Sequence, residues 1–144
     1  MDLSATTVID RPAQEVFDYV VTVSHDSEWR TGVVEAGFNT DGPLRVGAKG
    51  FDRVEANGRE VTAEWTIYET EPGVLARWTL DNGPFKGTGG YICEAEGDRT
   101  KFTLEANVTP TGWYRLIGPM FGRIGRRQNL ADVEKLRTIL ETSG

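Results

Sequence analysis

The sequence predicts an α+β fold, an antiparallel sheet covered on one face by helices. Three observations predict it. Six strand-like runs follow one another between residues 33 and 109 with no helical segment among them. A helix-period stretch precedes them and a long one closes the chain. Turn signals between the runs bring their apolar positions onto one common face. Strands in a single series with helices at both ends are the pattern of a sheet packed against helices, and not of alternating β-α units.

Residues 2–9, DLSATTVI, read as the first strand. The next stretch, DRPAQEVFDYVV, reads as a helix. Pro12 stands where a first-turn proline is tolerated, and Ala13, Val16, Phe17 and Val20 follow the i, i+3, i+4, i+7 spacing of one helix face. A short second helix is expected over SHDSEW, with Ser24 as its N-cap, Asp26 and Glu28 in its first turn and Trp29 turned inward. Strands are expected near 33–40, 47–56, 59–70, 74–81, 87–96 and 99–109. The closing stretch from Gly112 to Glu141 is amphipathic, with Val133, Leu136 and Leu140 among the apolar positions of its second half. Pro119 is expected to kink it.

Two-residue hairpins fix which residues face each other, so the turn residues themselves specify the register. Asn57-Gly58 sets Val54 opposite Val61, Asp52 opposite Ala63, Gly50 opposite Trp65 and Ala48 opposite Ile67. A tight turn at Pro72-Gly73 sets Ile67 opposite Trp78 and Trp65 opposite Leu80. Gly97-Asp98 pairs Cys93 with Phe102, Tyr91 with Leu104 and Gly89 with Ala106, and places Glu94 against Lys101 and Glu96 against Arg99 on the other face. Opposite charges across a ladder are favourable, so both faces support this register. The common apolar face carries Trp65, Trp78, Tyr91 and Phe102, with Asp52 as its one charge.

At 144 residues, 38% hydrophobic and 26% charged, the chain is expected to form a single domain over 1–144 with its own core. No run approaches the ~18 apolar residues of a membrane span, and MDLSATT lacks the basic start of a signal peptide, so the expected compartment is the cytoplasm. The net charge is −6, yet residues 113–141 hold six bases against three acids, leaving the remainder at −9. That acidic body argues against nucleic acid as a partner. The basic cluster GRIGRR reads as a solvated helix face, with a local anion site as the alternative. The single cysteine, Cys93, cannot form an internal disulfide, and the single histidine, His25, cannot assemble a metal site or be shared with a marked nucleophile. His25 is expected to be structural. FKGTGG lacks the Gly-Lys-Ser/Thr ending of a phosphate loop and leads into a strand, so its glycines are expected to permit a bend or close packing.

The opening VIDRPAQEVFDYVVTVSHDSEW, together with VGAKGF, TIYETEPGVLARW and NLADVEKLRTILE, resembles the START-like polyketide cyclase/dehydrase and lipid-transport superfamily, often called SRPBCC. The resemblance spans essentially the whole chain. It implies a helix-grip fold, in which a seven-stranded antiparallel sheet wraps a long C-terminal helix, with two short helices between strands 1 and 2 and a cavity between sheet and C-terminal helix. No cofactor or metal is expected. The expected partner is a small hydrophobic or aromatic molecule, lipid- or polyketide-like, bound by a monomer or weak dimer. The expected wall is Trp65, Trp78, Tyr91 and Phe102 from the sheet and Ile117, Met120, Phe121 and Ile124 from the closing helix, with Asp52 as polar anchor. Two alternatives stand beside this binder: a cyclase/dehydrase-like enzyme in which Asp52 or Tyr91 moves protons, and a co-chaperone-like interaction module using the basic closing helix.

Overall fold

The computed structural model describes the chain except Asn57, Pro84 and Gly144; for Ala56, Trp113, Tyr114 and Ile117 it describes the backbone alone. The elements follow in the order β1 (Ala5–Ile9), α1 (Ala13–Val21), a 3-10 turn (Val23–His25), α2 (Asp26–Trp29), β2 (Val33–Phe38), β3 (Lys49–Ala56), β4 (Arg59–Glu71), β5 (Leu75–Leu80), β6 (Phe85–Glu96), β7 (Arg99–Pro110), a second 3-10 turn (Gly112–Ile117) and α3 (Gly118–Thr142). Seven antiparallel strands form one sheet in the order β1-β7-β6-β5-β4-β3-β2. The first two strands in sequence are therefore its opposite edges. Helices α1 and α2 make the crossing between them, and with α3 they complete the helix-grip fold.

Every predicted cross-strand pair around Asn57-Gly58 and Gly97-Asp98 that falls in a ladder is present, including Gly50 with Trp65, Asp52 with Ala63 and Tyr91 with Leu104. Just before β3, Ile67 N donates to Ala48 O and Gly47 N donates to Ile67 O, which holds Ala48 beside Ile67. The β4–β5 connection differs from the expected two-residue turn. Its ladder begins at Glu71 with Leu75, so Pro72, Gly73 and Val74 make a three-residue loop in place of two. A bulge between Ile67 and Glu69 adds Tyr68 to β4 and cancels the shift, which restores Ile67 opposite Trp78 and Trp65 opposite Leu80.

The main core lies between the sheet and all three helices. Val16, Phe17 and Val20 of α1, Trp29 of α2 and Val133, Leu136 and Leu140 of α3 meet Tyr91, Cys93, Phe102 and Leu104 of β6 and β7. Burial pushes the Cys93 thiol up to about 12, so it is an apolar core group at neutral pH. Helix α3 rides along β1 on a line of polar ties: Asn129 Nδ2 donates to Leu3 O, Thr7 Oγ1 to Glu134 and Asp10 N to Glu141. Asp132, almost fully buried, accepts from the Thr31 backbone and hydroxyl ahead of β2.

The first half of α3 departs from its predicted orientation. Its glycines are the inward side: a Cβ at Gly118 would lie 3.5 Å from Pro110, at Gly122 3.1 Å from Met1 Sδ and at Gly125 2.9 Å from Leu3. Small residues let the helix approach the N-terminus and the end of β7 closely, and this turns Met120 and Ile124 outward, 65% and 55% exposed. Pro119 sits in the first turn of α3, where the missing N–H removes no helix bond, so the expected interior kink has no basis.

Candidate functional site

Because alternate residues of a strand share a face, β4 presents Trp65 and Ile67, β5 presents Ala76 and Trp78, and β6 presents Tyr91 on the same side of the sheet. The two tryptophans are accommodated by glycines opposite them. A Cβ at Gly50 would fall 2.2 Å from the Trp65 ring, and one at Gly89 2.6 Å from the Trp78 indole, so each indole lies across a backbone with no side chain. Opposite this wall stand Val21 at the end of α1, Val23, and Asp26 at the start of α2. Phe38 from the end of β2 and Leu44 from the β2–β3 loop complete the enclosure.

The resulting cavity is narrow. Its interior leaves ≈ 30 Å³, room for about two waters, while the void including its mouth measures ≈ 370 Å³. Trp65 and Trp78 occupy much of the remaining space, with Phe38 packed edge-on to Trp65 at 5.3 Å and Trp78 edge-on to Tyr91 at 4.8 Å. It lies under α1, α2 and the β2–β3 loop; among the described residues, α3 contributes nothing to its lining. That corrects the expected position between sheet and C-terminal helix.

Its polar end is built from two carboxylates. Asp52 Oδ1 accepts a hydrogen bond from Trp65 Nε1 at 3.3 Å, and Asp26 is 3% exposed with its Oδ1 bonded to no protein group. Behind them the Arg30 guanidinium donates to the Tyr91 hydroxyl at 3.2 Å and lies over the Trp29 ring. Burial pushes the Asp26 carboxyl up to about 7; Arg30 and a Tyr91 hydrogen bond oppose the shift, and Asp52 adds to it. Burial likewise raises Asp52, against Arg30 and the Trp65 hydrogen bond. Tyr91 is raised by burial and by Asp26, so its phenol remains protonated. Arg30, though burial disfavours its charge, is held cationic by Tyr91, Asp26 and Asp52. Chemically the set can bind a hydrogen-bond donor, and it can hold or release one proton near neutrality.

Of the predicted wall, Asp52, Trp65, Trp78 and Tyr91 stand together at this cavity. Phe102 is fully buried one layer behind, 5.9 Å from the Tyr91 ring, as core. Met120 and Ile124 face outward, Phe121 packs edge-on to Phe85, and the Ile117 side chain lies outside the described residues. Asp26 stands in the first turn of α2, as expected, but is buried there and faces the cavity. The i, i+3 relation that brings Trp29 inward brings Asp26 inward with it, and that spacing is the signal for it in the sequence. The expected cap is not formed either. Ser24 belongs to the preceding 3-10 turn, and no side chain caps α2. His25 stacks on Tyr19 at 4.1 Å, its Nδ1 3.0 Å from Tyr19 O, well integrated in local packing. Among the described residues no group of three or more His, Cys, Asp or Glu could hold a metal.

Residues 1–141 match the model of the family described as polyketide cyclase / dehydrase and lipid transport. The chain belongs to that family. Solved structures agree in fold. A conserved protein from Geobacillus kaustophilus matches with a TM-score of 0.80 at 13% identity, covering 99% of this chain and 97% of that one. The Zhui aromatase/cyclase from Streptomyces sp. R1128 matches at 0.77 and 13% identity over 98% and 93%. A START superfamily protein from Mycobacterium smegmatis matches at 0.77 and 15% identity over 99% of each chain. At such identities the family likeness is one of architecture, which hosts more than one activity. No curated protein matches the sequence. No helix among the described residues is long and apolar enough to cross a membrane.

Proposed function

We propose that this member of the family is a binding protein for a small aromatic or hydrophobic molecule, held in the cavity walled by Trp65, Trp78 and Tyr91 and anchored by Asp26 and Asp52. The observation that carries the reading is the pairing of an aromatic-lined cavity with a buried carboxylate oxygen that no protein group satisfies. A buried polar atom without a partner is costly, and a ligand donor removes that cost. The narrow interior admits the ligand's polar end, and the rest of the molecule extends into the wider void around it.

The test uses naphthol, a neutral aromatic probe, which should quench tryptophan fluorescence saturably and at one-to-one stoichiometry. Ala76, 2% exposed on the cavity wall, provides the control. Ala76→Val should weaken naphthol binding while stability stays within about 1 kcal/mol, since its added carbons enter free space; in a filled interior the same change costs about 1 to 3 kcal/mol. Failure to saturate, with a destabilised Ala76→Val, would remove the cavity reading.

A second reading is favoured by the Asp26 carboxyl lying near 7. A group in that range can donate and accept a proton at working pH, the requirement for cyclase- or dehydrase-like chemistry on a bound carbonyl compound. On this reading Asp26→Asn abolishes turnover with binding retained, whereas a loss of affinity alone identifies a polar anchor.

A further inference from the structure

The charges around the cavity specify more about the ligand than its aromatic character. Among the described residues, the only charged side chains lining it are Asp26 and Asp52, both acids. Arg30, the one cation of the cluster, reaches them from behind: it bonds the Tyr91 hydroxyl and borders a separate shallow groove with Ser27, Thr31 and Glu55. Two carboxylates thus share a single guanidinium, which leaves the ionised cluster one positive charge short. Asp26 is 3% exposed and its Oδ1 has no donor, while Asp52 has one through Trp65. The rings of Trp65, Trp78, Tyr91 and Phe38 line the same cavity, and aromatic rings attract cations. The free interior of ≈ 30 Å³ has room for a small head group such as an ammonium.

We infer that the natural ligand is a small arylalkyl amine, whose ammonium group fills the interior beside Asp26 and Asp52 and whose ring lies toward Phe38 and Leu44. The inference rests on the binding function proposed above and names its ligand class. An anionic ligand would meet the two carboxylates directly, with Arg30 on their far side. A neutral alcohol would satisfy Asp26 Oδ1 but leave the charge deficit.

Three probes of one shape separate these cases: phenethylamine, phenethyl alcohol and hydrocinnamate, each titrated calorimetrically and by displacement of naphthol. Phenethylamine should bind at least about tenfold more tightly than the alcohol, the scale of one charge-assisted hydrogen bond, and hydrocinnamate most weakly. Asp26→Asn should bring the amine down to the affinity of the alcohol, and Asp52→Asn should produce part of that loss. The wild-type protein gives a reading that needs no variant. With Asp26, Arg30, Asp52 and Tyr91 as the groups in contact, amine affinity should rise about tenfold per pH unit up to about 7 and level off above it, because the ammonium selects the ionised Asp26. Equal or tighter binding of the alcohol or hydrocinnamate, or a flat pH profile for the amine, would overturn the amine inference and leave the cavity function standing if naphthol still saturates. Failure of naphthol and all three probes would overturn both.

Discussion

Asp26 shows how one residue carries both a stability cost and a site. Its carboxyl is raised from the ordinary carboxylate range to about 7, so the folded state holds a proton that the unfolded chain releases near pH 4. Folding is therefore favoured by this group at low pH, and the advantage is lost as pH rises from about 4 to about 7, by up to about 1.4 kcal/mol per pH unit. Asp52 is raised as well and acts in the same direction. Denaturant unfolding of the ligand-free protein at pH 5 and pH 8 should show the decline, and Asp26→Asn should flatten it; a wild-type profile with no decline would mean that Asp26 titrates as an exposed acid. The neighbouring His25 and Ser24 play lesser parts. Ser24→Ala should be nearly neutral, because Ser24 makes no cap bond, and His25→Ala should leave ligand affinity within a few-fold while losing the stack on Tyr19. Thermal melts and naphthol titrations of the two variants check both.

At the scale of elements, the paired strands were legible in the sequence and the helix faces were not. Asn57-Gly58 and Gly97-Asp98 dictate two-residue loops, and a two-residue loop admits one register, so Gly50 opposite Trp65 follows from local sequence. The Pro72-Gly73 turn carries no such certainty: a three-residue loop and a compensating bulge at Tyr68 reach the same partners, and a bulge has no short sequence signal. Helix α3 defeated the apolar pattern for a different reason. Leu116, Met120 and Ile124 form an apolar stripe, but Gly118, Gly122 and Gly125 on the opposite side allow closer packing, and tertiary approach outweighed hydrophobic periodicity. Two predictions belong here. Gly50→Ala should destabilise by about 1 to 3 kcal/mol in urea unfolding, since its Cβ would displace the Trp65 indole. Reversal of Arg123 and Arg127 to glutamate should leave naphthol affinity unchanged, because these exposed side chains lie outside the cavity lining; a large loss would relocate the site to α3.

For the molecule as a whole, the fold separates two tasks. One end of the grip, where α3, α1 and β1 meet β6 and β7, is densely packed and sets stability. The other, where α1 ends and the β2–β3 loop crosses β3, β4 and β5, holds a smaller apolar cluster around Trp65 and Ile67 and the cavity with its two acids. Trp78 and Tyr91 stand at the join, so occupancy of the cavity is expected to be felt by the main core through Tyr91 and Phe102. A heteronuclear NMR titration with phenethylamine tests the location and chemistry of the site most directly. Saturable shifts at the Trp65 and Trp78 indole N–H groups and at the Ala76 methyl, with the Leu116, Met120 and Ile124 methyls unmoved, are the predicted result. Shifts confined to the methyls of those three residues of the closing segment, or no saturable shift at either tryptophan, would contradict it.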